Sequence, residues 1–133
     1  MTSYTIIKDE KFLHLAQKVV NAFPELAHVD LDDVQFAFRE SEKCKYHGRT
    51  QLVRGVDKIF TDKDIVIVIW LNSWIKHKMS WRALLLYHEL RHIVHNDKGE
   101  YALVRHDVED FSDMIEKYGV RWEQSDKILK RLK

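Results

Sequence analysis

The sequence predicts an α+β protein of one domain, residues 1–133, with a small mixed or antiparallel sheet packed against a central helix and further helices. Three observations predict it. Residues 64–71 contain Ile-Val-Ile-Val-Ile-Trp-Leu, a β-branched run that reads as a strand covered on both faces. Residues 80–96 place apolar side chains nearly all round a helix, as a central buried helix does. Residues 9–23 carry Phe12, Leu15, Ala16, Val19 and Phe23 at three-to-four spacing, the stripe of a packing helix.

A chain of 133 residues fits one domain. Near this size roughly 68–70% of the unfolded surface is buried, enough for an unaided core. Apolar residues are 45% and charged residues 32%, which excludes a disordered composition. The net charge of +1 gives no global drive toward nucleic acid or anionic membrane. The single cysteine, Cys44, forbids an intramolecular disulfide and points to a reducing cytoplasm. The N-terminus shows no signal-peptide pattern, and the apolar run at 65–71 is far too short to cross a bilayer.

Taken in order, Asp9 is the expected cap of the first helix, and Pro24 stops it. Residues 34–39 alternate as a half-buried strand. Residues 40–50 are polar and turn-like. They include Cys44 and His47, whose spacing could form half of a zinc site, but no second pair is visible, so a loop cysteine is the better reading. Leu52-Val53 and Ile59-Phe60 flank Gly55 as a short hairpin. After the strand at 64–71, residues 72–79 connect to the helix at 80–96. Ser80 is the expected cap and Gly99 the expected closure. Residues 101–104 read as a short extended piece. A helix at 107–119 begins at Asp107, and a last one spans 122–132 with a basic end that reads as solvated.

The buried helix holds His88-Glu89-Leu90-Arg91-His92. Residues four apart share a helix face, so His88 and His92 can aim two imidazoles at one ion, with Glu89 beside it. A zinc protease needs that arrangement: two neutral nitrogen ligands, and a carboxylate to take a proton from water. Three residues in five also arise by chance. Here the histidine face continues through Trp81, Leu84 and Leu85 into the protein, unlike an ordinary surface stripe.

Three protein ligands are usual for catalytic zinc. On a straight helix His95 lies roughly 10.5 Å along the axis from His88, too far to join the pair. It is expected at the helix C-terminus, where the dipole favours a protonated ring. Glu100, His106, Asp107, Glu109 and Asp110 remain. His106 is the choice for third ligand, Glu109 is in reserve, and Asp110 is a candidate to orient an imidazole.

With these segments in view, the chain resembles the phage metallopeptidase family. The likeness rests on the strand at 64–71 leading to Trp74, on Ala83-Leu84-Leu85-Leu86-Tyr87-His88-Glu89-Leu90-Arg91-His92, and on Arg105-His106-Asp107-Val108-Glu109-Asp110-Phe111 with Tyr118-Gly119. It covers mainly residues 64–122. The resemblance implies a zincin-like fold of the broad SprT-like kind, with one catalytic Zn2+, and it supports His106 as a ligand. It implies neither the metzincin third histidine, since that window holds His95 and Lys98, nor a four-cysteine ribbon.

The expected function is therefore a zinc metallopeptidase acting on a protein or peptide. His88, His92 and His106 hold the metal and Glu89 is the general base. The oxyanion group stays open among Tyr87, Tyr101 and Tyr118. The alternative is a non-catalytic module of the same fold that binds a host protein or DNA, for which residues 43–54 and the basic C-terminus would serve. Glu89 argues against it, because a binding module needs no general base. A metal hydrolase acting on something other than a peptide is a third reading. The expected setting is the cytoplasm of a bacterial or phage-infected cell.

Overall fold

The computed structural model describes residues 2–41 and 47–104. These residues form an α+β fold with three helices and a mixed sheet. In order they are β1 (Ser3–Ile6), α1 (Glu10–Ala22), β2 (Val34–Glu40), β3 (Gly48–Leu52), β4 (Ile65–Trp70), α2 (Leu71–Lys76), α3 (Met79–Leu90), β5 (Ile93–His95) and β6 (Tyr101–Leu103). Short 3-10 turns occupy Pro24–Leu26, Leu31–Asp33 and Gly55–Ile59.

Helix α1 follows its sequence closely. The Asp9 carboxylate accepts a hydrogen bond from the Lys11 amide at 3.0 Å, satisfying one of the free donors at the helix start. Phe12, Leu15, Ala16, Val19 and Val20 are buried along one stripe. Phe23 turns extended before Pro24, because proline disfavours a helical residue ahead of it.

The main sheet has strand order β1-β2-β4-β3. β2 and β4 run parallel, while β1 pairs β2 and β3 pairs β4 antiparallel. β4 is hydrogen-bonded on both edges, which explains its β-branched run. Ile65, Ile67 and Ile69 are fully buried, and Val68 and Trp70 nearly so. Parallel register sets Phe36 beside Ile67 on one sheet face. That face joins α1 and α3 in one core, where Phe12 meets Phe36 edge-on at 5.1 Å and Phe23 stacks on Tyr87 at 3.9 Å.

Several expectations fail, each for a local reason. Residues 52–60 make no hairpin: β3 begins earlier and pairs β4, and a 3-10 turn follows with Ile59 and Phe60 exposed. Residues 72–79 are no plain connector, since α2 fills most of them and buries Trp74. Lys78, extended after α2, precedes α3. Its carbonyl takes the Arg82 amide at 3.1 Å, and Ser80 is buried inside the first turn rather than capping it.

The largest departure is at the far end of α3. The helix stops at Leu90 instead of running to 96. The His92 amide bonds the Glu89 carbonyl at 3.2 Å, a 3-10 closure of the last turn. The Val104 amide then bonds the His92 carbonyl at 2.7 Å, drawing the chain into a β5–β6 hairpin. Asn96 shapes its turn, its side chain accepting from the Lys98 and Glu100 amides. Gly99 sits there at φ +78°, so it serves a strand turn and not a helix end. His95 lies on β5. The extended piece at 101–104 is β6. No helix among the described residues is long and apolar enough to cross a membrane. The expected helices at 107–119 and 122–132, and Cys44, lie outside the described residues.

Candidate metal centre

Helix α3 is buried along almost its whole length, and its apolar contacts fix the direction in which its last turn faces. His88 and Glu89 stand in that turn at 6% and 4% exposure, and for a glutamate such burial is rare. His92 follows the helix end, yet the tight closing turn keeps it beside His88, with ring centroids 5.3 Å apart. Ligand atoms of His88, Glu89 and His92 all lie within 4.8 Å of one another. The expected neighbourhood therefore forms, although helix geometry alone does not form it.

The His92 ring is oriented by the residue that follows β6. Its Nδ1 lies 2.7 Å from the Val104 carbonyl oxygen. A carbonyl only accepts, so Nδ1 carries a proton, and in the neutral ring this tautomer places the lone pair on Nε2. A carbonyl partner of this kind fixes tautomer and aim in metal-binding histidines. The donor set thus fits a cation: nitrogen donors with a carboxylate next to them.

Glu89 is held from β3. The Thr50 hydroxyl lies 2.8 Å from Glu89 Oε1 and 3.0 Å from the Glu89 carbonyl oxygen. Two residues earlier, on the same face of the strand, Gly48 leaves room. A Cβ there would stand 3.2 Å from Glu89 Cγ and 3.3 Å from its Cδ and Oε2. Burial pushes the Glu89 carboxyl up to about 7, with the Thr50 hydrogen bond pulling the other way. A carboxylate that exchanges its proton near neutrality suits general acid–base work.

That shift has a stability consequence for the metal-free protein. The folded state binds the Glu89 proton more tightly than the unfolded chain, whose glutamate titrates near 4.5. The stabilising contribution is complete below the unfolded value and is lost as pH rises through about 7. Thermal melts across this window, with chelator present, should show the parent losing stability relative to Glu89→Gln as pH rises. Parallel curves would mean that Glu89 is not buried as described.

Other predicted residues fall elsewhere. His95 packs against Tyr101 at 4.7 Å, away from the cluster. Tyr101 donates its hydroxyl to Asp33 at 2.8 Å, and Tyr87 is stacked in the core, so neither faces the cluster as an oxyanion donor. Glu100 belongs to the hairpin turn. His106, Asp107, Glu109, Asp110 and Tyr118 lie outside the described residues. The sequence reading missed Gly48, Thr50 and Val104. It placed residues 40–50 in a loop, and only a strand partner 13 to 21 residues away in the chain makes β3 visible.

Neither the curated proteins nor the solved structures contain a match to this chain. A family model described as "Putative phage metallopeptidase" matches residues 4–133. Nearly the whole chain is covered, including the paired histidines and Glu89, and the chain belongs to that phage metallopeptidase family.

Proposed function

We propose that the chain is a zinc-dependent peptidase of zincin-like fold, working as one domain in a reducing cytoplasm. One observation carries the reading: two imidazoles and a buried carboxylate converge at the end of α3, with the carboxylate held by Thr50 of β3 and the His92 ring by the Val104 carbonyl. Membership of the family supports it.

His88 and His92 would hold the metal. The third ligand must come from beyond the cluster, and chain reach favours His106. Val104 is pinned to His92 at 2.7 Å, and two residues span at most about 7 Å. Glu109, five residues on, has a reach of about 18 Å and stays in reserve. A zinc ion bound there supplies Lewis acidity, acidifying water and polarising a carbonyl.

Glu89 receives a proton from water and returns it to the departing amine. Thr50 keeps the Glu89 carboxylate turned toward the cluster. β4 is paired on both edges, so an extended substrate cannot add to it. β3 is paired on one edge only among the described strands, and its other edge can accept a peptide backbone.

The test is metal content by mass spectrometry on protein purified without a metal-affinity tag, beside His106→Ala. About one zinc per chain in the parent, lost or weakened in the variant, is expected. Equal zinc in both moves the third ligand to Glu109. No zinc in the parent after adding it back overturns the peptidase reading and leaves a binding module ahead.

A further inference from the structure

Glutamate has three side-chain torsions, and a general base works only when its carboxylate is aligned with the reacting proton. Burial alone does not align it. The fold supplies two contacts that do, both from β3. Thr50 is a β-branched residue with a stiff first torsion, and its backbone is locked opposite Ile67 on β4. Its hydroxyl stands between Oε1 and the backbone carbonyl of the same glutamate. The side chain is thus fixed relative to its own main chain. Gly48, one pleat away on the same face, meets the other side of the carboxylate, where any Cβ would crowd Cγ, Cδ and Oε2.

We propose that Thr50 is a positioning residue for Glu89, and that Gly48 and Thr50 together clamp the carboxylate in the one orientation used in peptide hydrolysis. The Thr50 hydroxyl acts through Glu89 and does not itself meet substrate. The inference rests on the reading of Glu89 as general base. It makes β3 more than a sheet edge: the strand open to a substrate backbone is the same strand that aims the base.

Two substitutions separate alignment from shape. Thr50→Val keeps the branched volume and removes the hydroxyl, while Thr50→Ser keeps the hydroxyl and removes the methyl. In the zinc-loaded protein, with fluorescein-labelled casein as the probe, Thr50→Val should lose about 10–100-fold in kcat with KM little changed, the size usual for orienting partners of a metal site. Thr50→Ser should recover most of it, and zinc content should be equal in all three. A merely structural Thr50 would leave Thr50→Ser as impaired as Thr50→Val.

A second readout needs no substrate. With 13C at the glutamate carboxyls, the Glu89 signal is identified by its loss in Glu89→Gln. It should be single and sharp in the parent and in Thr50→Ser, and shifted or broadened in Thr50→Val. An unchanged signal in Thr50→Val overturns the clamp whatever the activity shows. Activity retained by Glu89→Gln overturns the general-base reading instead, and the carboxyl signal still reports separately on the contact.

Discussion

Glu89→Gln should keep its zinc and lose peptide hydrolysis by about 10²–10⁴-fold, the usual contribution of a positioned general base. Glutamine is nearly the same shape, and its amide oxygen can still accept from Thr50, which donates at 2.8 Å in the parent. The packing around residue 89, 4% exposed, therefore has no reason to change. What glutamine lacks is a site for the proton. Removing a buried ionisable carboxyl also removes its desolvation cost, so the variant should melt at least as high as the parent above neutral pH. Metal content, melting temperature and casein cleavage measured on one preparation settle the matter. Normal cleavage with normal zinc would assign the base elsewhere. Lost zinc would make Glu89 a ligand.

Phe23→Ala should destabilise the fold by about 3–5 kcal/mol, a large share of the roughly 5–15 kcal/mol that holds a domain together. Phe23 has no exposed surface, and its ring stacks on Tyr87 at 3.9 Å and 17°. Tyr87 is also fully buried, so no solvent can fill the space. The cavity would open directly behind the residue that precedes His88. Zinc affinity should fall along with stability, because the last turn of α3 loses its backing. Urea unfolding should show a lower midpoint at an unchanged slope. A loss under about 1 kcal/mol would mean that α1 and α3 do not pack through this pair.

The elements read correctly from the chain are those whose pattern is local. The stripe of Phe12, Leu15, Ala16 and Val19 states α1 by itself, and Asp9 and Pro24 mark its ends. The β-branched run of β4 states a central strand. The failures are places where a distant partner decides. Ile93, Val94 and His95 continue a helical pattern as well as a strand pattern, and the Val104 amide settles it in favour of the strand. The turn signal Asn96-Asp97-Lys98-Gly99 was present, but it reads equally as a helix stop or a hairpin loop. Thr50 and Gly48 look like loop residues until β4 is placed beside them.

The motif itself was legible, yet for a reason the structure revises. Four-residue spacing on a helix predicts that His88 and His92 adjoin. They do adjoin, across a tightened turn with His92 already leaving the helix. Spacing found the pair, while the hydrogen bond to Val104 sets its aim.

The early end of α3 bears on when a nascent chain can first bring the groups of the motif together. Were the motif wholly helical, a fragment as short as the helix could present both imidazoles and the acid together. Here His92 waits on a residue 12 positions downstream, and Glu89 on one 39 positions upstream. Closing loops of that length costs chain entropy, which only the finished sheet and hairpin offset. A ribosome-bound or partly unfolded chain thus carries the motif without the arrangement, and competence arrives with the complete fold.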